Sequence, residues 1–200
     1  MDDAKLRQFA AEDEREDWNR RYQQGEHISF EPDPFLLSAY DDYLQPLFPR
    51  GGTALDIAGG LGRHAIWLAE LRWRVTVVDI SEVAFQKAQK KAEERGVKIE
   101  FLVRDLKSYQ PERERYDLML VFYYLQRELF HELVESLKPG GLLIYKTYTH
   151  EHADGGKHPK NPLYLLRDQE LLHSFPSLRT LHYRELPDKG TAELVAVKAR

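Results

Sequence analysis

The sequence predicts an α/β fold, a doubly wound sheet that is mostly parallel with an antiparallel strand at the C-terminus. Three observations carry that prediction. From Thr53 onward, short apolar or β-branched runs alternate with segments of helical period, the pattern of βαβ units on a parallel sheet. A glycine-rich turn, Gly59-Gly60-Leu61-Gly62, joins the first of these strands to the first of these helices. Near the C-terminus, strand-like runs at 178–186 and 192–199 are separated only by Pro187-Asp188-Lys189-Gly190-Thr191. That link is too short for a helical crossover, so the pair is antiparallel and one strand runs against the sheet.

The elements follow in order. Residues 1–24 are highly charged, and Trp18 and Tyr22, four apart, share one helix face. Glu31-Pro32-Asp33-Pro34 breaks that helix. Residues 35–48 then suit a second helix, ended near Pro49-Arg50-Gly51-Gly52. Residues 53–58 form a short apolar strand, and 63–71 a helix after the glycine turn. Residues 74–80 (RVTVVDI) are a β-branched strand. Ser81 is a good N-cap for a helix that carries Ala84, Ala88 and Ala92 on one face and ends at Gly96. Residues 98–103 are the third strand. Residues 116–124 (YDLMLVFYY) are the fourth, apolar enough to be buried on both faces. A helix over 126–137 is stopped by Lys138-Pro139-Gly140-Gly141, and 142–149 is the fifth strand. A last helix is expected over 167–175. The chain divides near residue 50, into an N-terminal helical cap or lid segment (1–50) and a sheet domain (51–200) that together make a single compact unit.

Composition excludes several function classes. The net charge is −4, the wrong sign for a protein whose main partner is a nucleic-acid backbone. There is no cysteine, which removes disulfides, thiolate metal sites and a catalytic thiol together. The charged start MDDAKLRQFAAEDERED lacks the apolar core of a signal peptide. The longest apolar run, residues 118–125, is far too short to span a bilayer. A cytoplasmic protein with no membrane partner is expected.

Ligands of doubly wound sheets bind at the carboxyl ends of the strands, where strand order reverses. Three carboxylates sit there: Asp56 late in the first strand, Asp79 closing the second, and Asp105 after the third. Glycines let the backbone approach a ligand, and the helix starting near Gly62 aims amide donors at it. Two ligand chemistries compete for this arrangement. Gly60-Leu61-Gly62-Arg63-His64-Ala65 fits the dinucleotide fingerprint, with Asp79 placed for ribose hydroxyls. Asp56 argues against it, because a carboxylate aimed into the turn repels a pyrophosphate. A ligand carrying an ammonium and a sulfonium suits acidic groups instead.

Residues 51–150 resemble a class I S-adenosylmethionine-dependent methyltransferase. The matching stretches are ALDIAGGLGRHA, VTVVDIS, VRDL, YDLMLVFYYL and LKPGGLLIYKTYT, in the family's order. The resemblance implies a Rossmann-like, seven-stranded sheet whose last strand is antiparallel, in agreement with the C-terminal pattern. One departure is Ala58, where the family's D-x-G-x-G-x-G pattern has its first glycine; the next two are present as Gly60 and Gly62. By resemblance, Asp56 and the backbone of Ala58, Gly59, Gly60 and Gly62 line the methionine moiety of S-adenosyl-L-methionine. Asp79, with Ile80 beside it, takes the ribose hydroxyls, and Asp105 and Leu106 hold the adenine. Val121, Phe122 and Tyr123 lie beside the methionine and the reacting sulfur. The product would be S-adenosyl-L-homocysteine, and no metal is implied. Each residue also has a plainer reading: Asp79 can help to start a helix, Asp105 can be a solvated strand end, and at least one of Phe122, Tyr123 and Tyr124 belongs to the core because strands alternate sides. A closer likeness, in TALDIAGGLGRHAIWLAE and GGKHPKNPLYLLRDQELLHSF, is to the small bacterial tellurite-resistance and thiopurine-methyltransferase-like branch.

Methyl transfer from a sulfonium is an in-line displacement, so alignment and exclusion of water matter most. Aromatic faces hold a methylsulfonium without a counter-ion; the candidates are Tyr123, Tyr124, Trp18 and Tyr22. His150 and His152, with His158 further on, are candidates for a base or substrate ligand past the fifth strand, against the alternatives of a metal site or a solvated polar loop. With no cysteine, a nucleophilic-thiol mechanism and arsenite capture by thiolates are excluded. Val121-Phe122-Tyr123-Tyr124 is not the Asn/Asp-Pro-Pro-aromatic signature of amino-group methylation. A small-molecule acceptor remains, such as a thiol or a chalcogen oxyanion. Two other functions stay open: a non-catalytic S-adenosylmethionine-binding protein and an NAD(P)-dependent oxidoreductase. Residues 1–50 are read as a lid that presents Trp18 and Tyr22, with an ordinary packing helix as the alternative.

Overall fold

Seven segments rich in β-branched and large apolar residues become one sheet in the computed structural model, which describes residues 3–154, 159 and 161–200. They are β1 (Thr53–Ile57), β2 (Arg74–Asp79), β3 (Glu100–Val103), β4 (Tyr116–Phe122), β5 (Leu137–Tyr148), β6 (Leu178–Leu186) and β7 (Thr191–Lys198). Their order across the sheet is β3-β2-β1-β4-β5-β7-β6. The first five pair in parallel. β7 slots between β5 and β6 and runs antiparallel to both, as the short C-terminal link requires.

The helices are α1 (Asp3–Gln23), α2 (Pro34–Ala39), α3 (Gln45–Leu47), α4 (Arg63–Glu70), α5 (Glu82–Glu94), α6 (Phe130–Ser136), α7 (His150–Asp154) and α8 (Glu170–His173). Local chemistry starts several of them. Asp33 caps α2 by accepting from Phe35 N, and Pro34 stands at its first turn. Ser81 caps α5 by accepting from Ala84 N, and Ala84, Ala88 and Ala92 form its buried face. Gly96, with φ +67, follows its end.

Three expected elements differ. The helix expected over 35–48 is α2 and α3 joined by a π-type turn, Tyr40–Leu44, in which Gln45 N donates to Tyr40 O. Pro46 follows directly; it has no N–H for the ladder, and the widened turn absorbs that break. The helix expected over 126–137 is a 3₁₀ turn, Arg127–Leu129, followed by α6. β5 begins at Leu137 because that residue pairs with Tyr116 before the register shifts. The helix expected over 167–175 shrinks to α8. There Arg167 N donates to the Glu170 carboxylate and Gln169 takes φ +57, so the chain turns before it coils.

The core lies on both faces of the sheet. Along β4, Leu118, Leu120 and Phe122 face α2 and α4, packing with Leu36, Ala65 and Leu68. Met119 and Val121 face the other way, packing with Leu133 of α6 and Leu171 of α8. This is the period-two alternation of a strand buried on both sides. Among the described residues, no helix is long and apolar enough to cross a membrane.

Candidate active site

β1 is flanked by β2 on one side and β4 on the other. Strand order therefore reverses at β1 and β4, and a crevice opens at their carboxyl ends. Asp56, near the end of β1, is 1% exposed, and neither of its carboxylate oxygens has a hydrogen-bond partner among the described residues. Burial pushes its pKa up to about 7, against the pull of Arg63 and helped by Asp79. A buried carboxyl left without donors costs about 1–3 kcal/mol or more, so this one is poised for a cationic partner.

The turn above it is built from close approaches. A Cβ on Gly59 would stand 2.8 Å from Asp56 Oδ2 and from Val77 Cγ1. Gly60 has φ +53, and its Cβ would stand 2.4 Å from Tyr22 Oη. Gly62, also left-handed, opens α4. Ala58 keeps φ +53 without being glycine, a conformation that costs an L-residue about 1–2 kcal/mol. Asp79 accepts from Gly60 N and Ser81 N at 2.9 Å each. Burial raises its pKa, against those amide donors, and each oxygen keeps a lone pair for another donor. A narrow cleft lies beside it, lined by Gly60, Asp79, Ser81, Phe85 and Phe101 among others.

Helix α1 lies across this end of the sheet. Trp18 and Tyr22 pack against each other with ring centroids 5.7 Å apart, and Tyr22 is buried with Leu61 and Ala84. Burial, then the charge of Asp79, raises the Tyr22 pKa. Ser81 Oγ donates to Asn19 Oδ1 at 2.7 Å, Lys87 Nζ donates to Tyr22 O at 2.5 Å, and Lys107 pairs with Glu14 at 2.5 Å.

At the end of β4, Tyr123 takes φ +58. Its hydroxyl donates to Asp33 Oδ2 at 2.6 Å. Lys146 Nζ donates to Asp33 Oδ1 at 2.9 Å and lies 3.2 Å from Glu193 Oε1, while Arg184 holds Glu193 Oε2 at 2.8 Å. Asp33, Lys146 and Glu193 are all buried. Burial alone would raise the Asp33 pKa, but donation from Tyr123, Lys146 and Phe35 N outweighs it and holds the carboxyl below its ordinary range. The Tyr123 ring is flanked by Tyr148, with centroids 5.0 Å apart, and by the Arg63 guanidinium at 5.7 Å. Tyr148 in turn stacks on His152 at 3.9 Å. Buried His64 packs on Phe122 at 4.2 Å, its Nε2 lacks a hydrogen-bond partner among the described residues, and burial pushes its pKa down to about 3.

The structure thus gathers Asp56, Ala58, Gly59, Gly60, Gly62, Asp79 and Tyr22 at one part of the crevice, and Tyr123 and His152 at another. Arg63 reaches both, since its charge acts on Asp56 and Tyr22 as well as on Tyr123 and Tyr148. Other candidates are committed elsewhere. Asp105 Oδ1 accepts from Lys107 N at 2.9 Å, a local turn. Leu106, Val121 and Phe122 have buried side chains, which leaves mainly their backbone for a ligand. Ile80 is half-buried. The Tyr124 hydroxyl donates to Gln126. His150 is exposed, with Nδ1 3.3 Å from Asp168 and 3.5 Å from Glu151. His158 lies outside the described residues. Sequence reasoning missed Asp33, His64, Lys146 and Glu193. A lysine inside the apolar run LLIYKTY was the available signal, because a buried ammonium needs a carboxylate partner.

Comparison with known proteins bears on the family and the fold. Residues 54–141 match the profile of a family described as a methyltransferase domain. A provisionally named methyltransferase of Geobacillus sp. (strain WCH70) is 34% identical over 110 residues, covering 49% of this chain and 44% of that protein. The chain spans less than half the length of the curated relatives it matches. Among solved structures, the N-methyltransferase NodS from Bradyrhizobium japonicum WM9, in complex with S-adenosyl-L-homocysteine, superposes with a TM-score of 0.69. It is 16% identical and is matched over 93% of this chain and 98% of its own. TehB from Haemophilus influenzae also gives 0.69, at 18% identity over 89% of this chain and 66% of its own. These structural likenesses concern the fold. Residues 54–141, less than half of the chain, thus resemble a methyltransferase domain, and the mixed seven-stranded sheet has the fold of these solved structures.

Proposed function

We propose that this protein is an S-adenosylmethionine-dependent methyltransferase that moves a methyl group to a small-molecule acceptor by in-line displacement. The observation that carries the reading is Asp56: a carboxylate buried beneath a glycine turn, with neither oxygen satisfied among the described residues. The donor set fits the ligand. We read Asp56 as the partner of an ammonium, Asp79 of two ribose hydroxyls, and the remaining Asp105 oxygen and the Leu106 backbone of the adenine. When bound, S-adenosylmethionine supplies a methyl group on a positively charged sulfur. The chain's part is to bind, align and exclude water. Tyr123 and Tyr148 offer aromatic faces to a cation, and α1 places Trp18 and Tyr22 over the glycine turn. We read residues 1–50 as a lid on that account. A pyrophosphate would meet Asp56 as a like charge, which argues against NAD or NADP. The acceptor is read as a small nucleophile, such as a thiol or chalcogen oxyanion. The TehB likeness is compatible with that class but is one of several likenesses of similar strength.

Calorimetric titration with S-adenosylmethionine, S-adenosylhomocysteine, NAD and NADP tests the reading. Binding of the first two alone is expected. Asp79→Ala, still folded, is expected to lose about 1.5–3 kcal/mol of that affinity, the worth of hydrogen bonds to a charged group. Binding of a nicotinamide cofactor instead would overturn the proposal. Binding without turnover of any acceptor would favour a non-catalytic cofactor-binding protein.

A further inference from the structure

Holding the cofactor does not require the chain Tyr123–Asp33–Lys146–Glu193–Arg184, which is buried at its centre and ends on exposed Arg184. Buried ion pairs are no reliable source of stability, since apolar residues of similar volume often serve as well. This one is built with care at one end. Tyr123 is pinned twice, by its N–H to Lys146 O at 2.7 Å and by its hydroxyl to Asp33 Oδ2 at 2.6 Å. Asp33 is pinned three times, by Tyr123, Lys146 and Phe35 N. Lys146 is shared with Glu193, which Arg184 also holds. The charges of Asp33, Lys146, Glu193 and Arg184 cancel, so Asp33 can stay ionised in a buried place. Tyr123 is the half-buried end of the chain, at the carboxyl end of β4 beside Arg63 and Tyr148.

We propose that Tyr123 and Asp33 form a proton relay, and that the acceptor is a neutral molecule bearing O–H, S–H or N–H. The inference rests on the reading of the site as a methyltransferase and narrows its small-nucleophile acceptor to protic molecules such as a thiol, leaving out an oxyanion. In the step, a lone pair of the acceptor atom forms the bond to the methyl carbon. The sulfur–methyl bond breaks, and its electron pair stays on sulfur. The acceptor's proton passes to the Tyr123 oxygen as the Tyr123 proton passes to Asp33 Oδ2. The positive charge lost at sulfur and the negative charge lost at Asp33 balance. A strong base is not needed, because an acceptor atom that gains a methyl becomes steeply more acidic. Tyr123 is the catalytic residue here; Asp33 acts through it.

The test uses the full chain and two variants, Tyr123→Phe and Asp33→Asn. Asp33 also caps α2, so Tyr123→Phe carries the test if Asp33→Asn fails to fold. S-adenosylhomocysteine affinity, read by calorimetry, is expected to stay within about twofold of the parent in Tyr123→Phe. Phenol binding to the S-adenosylhomocysteine-loaded protein is expected to weaken, because the Tyr123 oxygen that takes the phenol hydrogen is gone. Turnover is then followed with phenol, 2-mercaptoethanol and imidazole as protic acceptors, and with iodide as a proton-free one. The parent is expected to methylate at least one protic acceptor, and Tyr123→Phe to lower that kcat by about 10²-fold or more while slowing iodide far less. Equal slowing with iodide, unchanged protic kcat, or no protic turnover by a protein that binds S-adenosylhomocysteine each overturns the relay. If the parent does not bind S-adenosylhomocysteine, the cofactor reading itself has failed, and the relay falls with it.

Discussion

At the scale of single residues, the site is marked by groups held in states they would not adopt in isolation. Asp56 is buried without a donor among the described residues, His64 is buried neutral, and Ala58 and Tyr123 carry side chains at positive φ. Strain of this kind persists only where surrounding structure enforces it, and it clusters at functional sites. Ala58 and Tyr123 differ in what the strain secures. The Tyr123 hydroxyl is tied to Asp33, so its conformation places a polar group. Ala58 has only a methyl group, packed against the core, so no polar contact accounts for its conformation. Replacing it with glycine removes the left-handed penalty and adds some freedom to the unfolded chain, which offsets part of the gain. Ala58→Gly is therefore expected to raise stability by about 1 kcal/mol, read as a higher denaturant midpoint at unchanged slope. A loss of stability would show that the Ala58 methyl makes packing contacts worth more than the strain.

At the scale of elements, α1 is the part whose behaviour follows least from its own sequence. Its residues are charged nearly all round, and such a helix has little reason to form unless something holds it. What holds it is a short set of contacts: the Trp18–Tyr22 pair on Leu61 and Ala84, Asn19 on Ser81, Lys87 on Tyr22 O, and Lys107 on Glu14. The last is an exposed pair and adds little. With so few buried contacts among the described residues, α1 opens at low cost compared with the sheet. Its Tyr22 sits against Gly60 and Asp79, where the cofactor is proposed to bind. Hydrogen exchange over residues 13–27 is therefore expected to slow when S-adenosylhomocysteine is added, with β4 and β5 unchanged. No difference in that segment would leave α1 as an ordinary packing helix. Its register shows how an element can be legible while its role is not: the four-residue spacing of Trp18 and Tyr22 identified the face, but the surface beneath it comes from residues some sixty positions away.

At the scale of the whole molecule, most of the sheet was legible because β2 and β4 are written as β-branched or wholly apolar runs, and because a five-residue link admits only an antiparallel pair at the C-terminus. Asp56, Asp79 and the glycine turn were legible because they are close in sequence. The start of β5 was not, since Leu137 joins the strand through pairing with Tyr116 across the sheet. Nor was the network of Asp33 and Lys146, whose partners lie 113 positions apart. That wider frame also governs how Asp56 couples to stability. Its pKa in the ligand-free protein is about 7, against an ordinary 3.8. Between those values the folded protein holds a proton that the unfolded chain has released. Folding stability from this group is therefore fully present below the ordinary value and is lost as pH rises through about 7. An ammonium beside Asp56 favours the ionised form, so ligand binding expels the proton and gains strength over the same window. S-adenosylhomocysteine at about a hundred times its Kd adds about 2.7 kcal/mol, or roughly 5–10 °C in Tm for a chain of this size. Thermal unfolding with and without the ligand is expected to give a shift near that size on the alkaline side of neutrality and a smaller one on the acid side. Asp56→Asn isolates the effect: its ligand-free Tm should lose the fall with pH that Asp56 causes, and its ligand shift should be small throughout. A shift in the parent protein that does not depend on pH would mean that the ammonium is held elsewhere, and that the buried carboxyl of Asp56 stays protonated with the ligand in place.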